Sequence, residues 1–279
     1  MDTADTTSRV AGPRRLVEAL GAKVVNGTAY VGGVFLLQVE IIRWIWRSLV
    51  LRRVRFGRRG FYAQVIRVGV RSVGVITLIS GAIGLILALQ MAPPLAQFGQ
   101  TETVANIIAI AVVRELGPLV SAIVLTGFAG ASIAAELGTM VVGEEIEALE
   151  AHALNPVRFL IVPRVLATAL SMVVLATFAN LVAIFAGWMI GVTLLAIPSG
   201  VYIHSTIEQL DVADFLTGLV KALAFGGIIG TIASYNGISV RGGAAGVGLA
   251  TTRTVVLSIL LIILTDLVFT SVFYALGWT

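Results

Sequence analysis

Long apolar runs alternate with short polar breaks along this chain, and the runs are longer than a soluble core uses. Residues Val165 to Ile207 pass 43 positions without an Asp, Glu, Lys or Arg. A bilayer's hydrocarbon slab needs only about 20 apolar residues per helical crossing. Inside it no water satisfies stray backbone N–H and C=O groups, so such a run must be helix wherever it faces lipid. The pattern predicts an all-α integral membrane protein with about five transmembrane helices, at about 72–92, 103–136, 156–195, 214–235 and 255–278. The first, Ser72 to Ala92, is uncharged and is expected to end at Pro93-Pro94. The second is apolar except for Arg114-Glu115. The third opens at Asn155-Pro156, where Asn suits a helix N-cap and Pro the first helical position.

Ahead of these spans lies Val24 to Val39, 16 uncharged residues followed by Glu40, Arg43 and Arg47. Those three fall on one stripe of a helix, and Trp44 and Trp46 suit the head-group zone. Together with the Arg-rich run at 52–59, this predicts an N-terminal amphipathic interfacial helix in the membrane plane rather than a sixth crossing. The chain thus divides into a basic region, 1–71, and a membrane domain, 72–279.

Composition sharpens the class. Of 279 residues 58% are hydrophobic and 12% charged, and no polar block is long enough for a soluble domain. The 30 glycines are not periodic, which excludes collagen, and suit close helix packing in lipid. Without cysteine there is no disulfide framework, thiolate chemistry or cysteine metal site. The N-terminus lacks the pattern of a removable signal peptide.

Charge is distributed unevenly. Residues 1–71 hold 13 of the 19 Lys and Arg but 4 of the 15 acids, for +9, whereas the remainder sums to −5. Such a block next to a membrane span is expected to touch anionic lipid rather than nucleic acid. Loops after the first and third spans carry no Lys or Arg. Those after the second and fourth hold Arg158, Arg164, Arg241 and Arg253. The positive-inside rule therefore places the N-terminus in the cytoplasm and the C-terminus outside.

One cytoplasmic loop breaks that rule. Glu144-Glu145-Ile146-Glu147-Ala148-Leu149-Glu150 packs four carboxylates into seven residues, and a short helix at about 143–152 fits it. It reads either as a solvated cap on the bundle or as a surface for a basic partner.

Charges within spans are costly and are candidate functional groups. Arg114-Glu115 is expected near the outer surface, and Pro118 offers no N–H to the carbonyl four residues back. Arg114, Glu115 and Pro118 could hold a phospholipid head group, or form a structural ion pair at a kink. Lys221 and Asp266, expected near mid-membrane, read as an internal salt bridge more than a transport site. Glu136 suits a bundle-to-loop contact. His152 and His204 lie in opposite loops and cannot share a metal, so no metal, cofactor or catalytic residue is expected.

The motifs Arg114-Glu-Leu-Gly-Pro118, Gly130-Ala-Ser-Ile-Ala-Ala-Glu-Leu-Gly-Thr-Met140, Glu144-Glu-Ile-Glu-Ala-Leu149, Asn155-Pro-Val-Arg158 and Val162-Pro-Arg-Val-Leu166 resemble the MlaE/YrbE family of Mce-associated ABC transporter permeases. So do Gly226 to Gly230 and Arg241-Gly-Gly-Ala-Ala-Gly-Val-Gly248 with Ala250-Thr-Thr-Arg253. The resemblance covers roughly residues 60–279. Phe128 and Ala245 differ from the pattern, which has arginine and glutamate there. The resemblance implies the membrane subunit of a transporter moving phospholipid or a related lipid between membranes. It also implies a homodimer in the inner membrane, two ATPase subunits and an Mce-domain partner. On this view Glu144–Glu150 is the coupling helix on the ATPase, with Glu144, Glu145, Ile146, Glu147, Leu149 and Glu150 in contact. The chain itself lacks a P-loop, since its only lysines, Lys23 and Lys221, follow Ala and Val. The glycine-rich run Gly242 to Gly248 reads as a tight turn between spans. An ion-coupled secondary transporter using Asp266 is the alternative, and an intramembrane enzyme lacks a nucleophile with a base in reach.

Overall fold

The computed structural model describes residues 6–49 and 58–278, and among them every regular element is a helix. Helix α1 (Thr6–Leu49) comes first. Of the Arg-rich run at 52–59, residues 52–57 lie outside the described residues. Helix α2 (Arg58–Val68) turns through Val70–Ser72 into α3 (Val73–Gln97). The next rod, 103–142, is three α-helices joined by π turns: α4 (Thr103–Ala111), α5 (Gly117–Leu125) and α6 (Ala131–Val142). A short α7 (Glu145–Ala151) precedes α8 (Val162–Thr193). Then come α9 (Ser199–Gln209), α10 (Val212–Ile238) and α11 (Gly243–Ala275).

Among the described residues six helical stretches are long and apolar enough to cross a membrane: the five expected and Gly21–Ser48 within α1. The expected interfacial helix is thus part of a 44-residue rod whose length also permits a crossing. Its contacts run sideways. Tyr30 stacks under Arg253 at the start of α11 and donates to Asn236 of α10. Leu37 and Ile41 pack on Ile161, Val162 and Val165 at the start of α8, and Glu40 accepts from Asn155. Along α1 the partners pass from α11 across α10 to α8, all at the end of the bundle that carries α7.

The boundaries of α3, α10 and α11 differ from those the sequence predicts. Helix α3 does not stop at Pro93-Pro94 but continues to Gln97. Proline's fixed φ suits a helix, and what is forfeited is two N–H bonds close to its end. Helix α10 runs from Val212 to Ile238, longer at both ends. Helix α11 begins at Gly243, twelve residues before the expected Val255. The tight turn is confined to its start, where Gly242 and Gly243 adopt φ of 87° and 68°. From Gly243 on, the run expected as a turn is helix. Asn155 caps its helix as expected, accepting from the Arg158 N–H at 3.0 Å.

The core is the seam between α8 and α10, with α3 and α5 against it. Met172, Leu175, Ala176 and Ala179 meet Ala222, Phe225 and Ile229, all at most 2% exposed. Gly226 and Gly230 sit one helical turn apart on α10, so they share a face. A Cβ on Gly226 would come within 2.7 Å of the Ala169 Cα, and one on Gly230 within 2.9 Å of the Val165 Cα. Backbones therefore touch with nothing between them, the contact that holds helices together where burial from water offers no drive. The outer faces are apolar instead of polar, with Leu78, Leu181, Phe185, Leu267 and Val268 more than half exposed. Helix α9 closes the end opposite α7. Its Tyr202 is buried against Gly187 and Gly191 of α8, and burial pushes the hydroxyl pKa up to about 12.

Candidate functional site

The π turn Val112–Leu116 aims two adjacent charges at the same neighbouring helix. Its i→i+5 bond, Gly117 N–H to the Val112 carbonyl, accommodates an extra residue in the turn just before Pro118, which could not have donated. The Val113 carbonyl oxygen lies against Gly218 of α10, where any Cβ would overlap it. Pro118 is buried beside the same glycine.

Arg114 donates from Nε to Oδ1 of Asp214, in the first turn of α10. Asp214 is itself held by its capping box, with Oδ2 accepting from the Asp211 N–H at 3.2 Å. Glu115 reaches seven residues further along α10, about 10 Å at 1.5 Å per residue, to Lys221. The ammonium is 2.6 Å from Glu115 Oε1, 2.8 Å from Thr270 Oγ1 and 3.0 Å from Asp266 Oδ1. The Asp266 contact is an ion pair without hydrogen-bond alignment, and that oxygen is buried with no hydrogen bond. Thr270 in turn donates to Glu115 at 2.9 Å.

The site predicted in two parts is thus one. Arg114, Glu115, Lys221 and Asp266 come together with Asp214 and Thr270, neither of which sequence reasoning singles out. Asp214 was legible, since it stands seven residues before Lys221 and hence on the same face of α10. Thr270 follows Asp266 by one turn. Asp266 is 23 residues from the start of α11, about 35 Å along the axis, so the cluster lies toward the end of the bundle opposite α7. The ion pair Lys221–Asp266 is present, but Glu115 is the closer partner.

Among these five charged residues three are anionic and two cationic. Lys221 is 2% exposed at its side chain, where a lone ammonium would carry a heavy desolvation cost; two carboxylates surround it. Arg114 and Glu115 remain partly open, at 26% and 35%. Such a cluster presents a guanidinium and carboxylate at its surface over a fixed, buried ammonium.

At the other end α7 stands on a left-handed Glu144, φ 58°. Glu144, Glu145, Glu147 and Glu150 are exposed and make no ion pair among the described residues, whereas Ile146 and Leu149 are partly buried. Glu136 in α6 is clasped by Arg67 and by Arg164, the latter at 2.9 Å. His152 is exposed, and His204 pairs with Glu208 at 3.5 Å.

The family model for the permease MlaE matches residues 61–272. A probable ABC transporter permease of Rickettsia prowazekii (strain Madrid E) is 35% identical over 230 residues, 82% of this chain and 85% of that protein. One from Rickettsia bellii (strain RML369-C) is 35% identical over 264 residues, 93% of this chain and 98% of that protein. TRIGALACTOSYLDIACYLGLYCEROL 1, a chloroplastic protein of Arabidopsis thaliana, is 31% identical over 243 residues, covering 83% and 69%. With several rods long and apolar enough to cross a bilayer, a family model matched over residues 61–272 and a relative 35% identical across 98% of its length, the chain belongs to the MlaE permease family and is a multi-pass membrane permease of the ABC-transporter type.

Proposed function

We propose that this chain moves phospholipid or a related lipid between membranes as the membrane subunit of an ATP-driven transporter. The observation that carries the reading is the charged cluster within the spans, fixed at Lys221 and partly open at Arg114 and Glu115. A lipid head group combines charge with an apolar tail, and the cluster sits among apolar helix faces. A relative named for a diacylglycerol glycolipid supports a lipid cargo.

On this reading the chain works as a homodimer in the inner membrane, with two ATPase subunits and an Mce-domain partner outside. The N-terminus and α7 face the cytoplasm, the C-terminus the outside, and α1 lies in the interface as its sideways contacts suggest. The exposed carboxylates of α7 supply a surface for basic residues of the ATPase. An ion-coupled carrier would need a titratable acid on a water path; Asp266 is engaged by Lys221 at 3.0 Å, which favours the ATP-driven reading.

Mass spectrometry of lipid retained by the purified assembly tests both halves. Arg114→Ala should hold lipid at least about tenfold more weakly and retain correspondingly less at equal protein, as expected for loss of one charge-assisted contact of about 1.5–3 kcal/mol. Unchanged lipid content would remove the head-group assignment. Reversing Glu144, Glu145 and Glu147 to Lys should release the ATPase while the bundle stays folded, and intact co-purification would reject α7 as the coupling helix.

A further inference from the structure

A polar cavity lies at the α7 end, far from the Lys221 cluster. Helix α2 packs along the start of α8, and between them opens a cavity of about 450 Å³ lined by Gln64, Arg67, Arg71, Glu136, Phe159 and Arg164 among others. That volume falls within the roughly 300–1,000 Å³ of small-molecule sites. Arg67 and Arg71, one helical turn apart, also line a smaller recess of about 250 Å³ with Phe128 and Ser132. The two recesses flank one basic edge.

The charges do not balance. Glu136 accepts from Arg67 and from Arg164, and Arg164 donates its remaining terminal nitrogen to the Leu160 carbonyl at 2.8 Å. Arg164 is 6% exposed, yet its Nε–H is buried without an acceptor. The Gln64 Oε1 is buried and unpartnered as well. Arg71 makes no ion pair among the described residues. Three guanidiniums thus surround one carboxylate, an excess of two positive charges with donors to spare. Planar guanidinium forks match a phosphate's oxygens better than an ammonium does.

The surroundings of the cavity are apolar as well as basic. Tyr62 and Ile66 on α2 are 61% and 59% exposed, and Phe61 stacks edge-on with Tyr62. Outward aromatic and aliphatic residues with arginines beside them are the composition that suits a helix to the head-group level of a bilayer. Phe159, Leu160 and Pro163 add apolar surface to the same cavity wall.

We propose that this cavity binds the phosphodiester head group of an anionic phospholipid, held by Arg67 and Arg71 against the Arg164–Glu136 pair. The lipid seats α2 on α8. This goes beyond general attraction of the basic N-terminal region, because it names a site, and it holds whichever side of the membrane α7 faces.

Native mass spectrometry of the full chain in detergent, titrated with short-chain phosphatidylglycerol, phosphatidylcholine or inorganic phosphate, tests it. Phosphatidylglycerol should bind about tenfold more tightly than phosphatidylcholine, whose choline adds a cation to a site already in excess; a charge-assisted hydrogen bond is of that size. Arg71→Gln should abolish the preference while the lipid-free melting temperature stays unchanged, since Arg71 is exposed and makes no ion pair among the described residues. Arg67→Gln should weaken it similarly. Arg114→Ala should leave it intact, which separates this site from the Lys221 cluster. Equal phosphatidylglycerol binding by wild type and Arg71→Gln overturns the proposal. So does inorganic phosphate that competes as well as the lipid, because the site would then serve a soluble anion.

Discussion

Lys221 shows how one residue organises the permease. At 1% exposure it is among the largest fully buried side chains, and a charged one. Its neighbours, Glu115, Asp266 and Thr270, come from two other helices, so the cluster ties the 103–142 rod, α10 and α11 together. Removing the cation leaves two carboxylates facing each other with only a hydroxyl between. Lys221→Met is expected to destabilise the fold by about 3–5 kcal/mol, the range for stripping one partner from a buried pair. Adding Asp266→Asn to Lys221→Met should recover part of that loss, because a neutral amide needs no counter-ion. Thermal unfolding of the purified variants measures both. A single mutant as stable as wild type would mean that the cluster is solvated in place and not a structural tie.

The sequence announces these charges because a charged residue inside an apolar run stands out. What it hides is their pairing. Sequence-adjacent Arg114 and Glu115 go to different partners, since a π turn re-aims them, and a π turn leaves no mark in hydropathy. How far Asp266 stands from the start of its helix is obscured for a related reason. Gly242 to Gly248 reads as a turn by composition, but in lipid glycine is an acceptable helix residue, and α11 starts there.

At the scale of helices, the seam between α8 and α10 rests on absent side chains. Gly226 and Gly230 meet the α8 backbone, while at Gly227, next along the chain, a Cβ would find nothing within 4 Å. The contrast isolates packing from propensity. Gly226→Leu should push α10 off Ala169 and Met172, costing more than the roughly 1–3 kcal/mol of ordinary overpacking, because backbone and not a flexible tip must yield. Gly227→Ala should be neutral to stabilising, by up to about 1 kcal/mol from helix propensity. Melting temperature and monodispersity in detergent read both. Equal effects at the two positions would show that the helices can slide apart without penalty. Gly226 and Gly230 were visible in sequence only as part of a resemblance; which glycine faces a partner needs the neighbouring helix.

At the scale of the molecule, the five rods were readable because length and hydropathy fix them almost alone, whereas α1 was not. Gly21–Ser48 is long enough to cross, but is the least apolar of the six stretches, and its Glu40, Arg43 and Arg47 fall on one stripe. A crossing helix would follow α8 or α10 down their length. Instead Tyr30 meets α10 and α11, and Ile41 meets α8, all within the last turns at one end. That transverse path is expected of a helix in the plane of the interface. The chain has no cysteine, so single cysteines report sidedness cleanly. Placed at Glu147, Gln100 and Gly21, each exposed in the fold, they separate the arrangements. With α1 in the plane, Glu147→Cys and Gly21→Cys react with an impermeant maleimide only after the cells are opened. Gln100→Cys reacts in intact cells. If Gly21→Cys joins Gln100→Cys, α1 crosses the bilayer and the count of spans rises to six; if Glu147→Cys reacts in intact cells, α7 faces away from any ATPase in the cytoplasm.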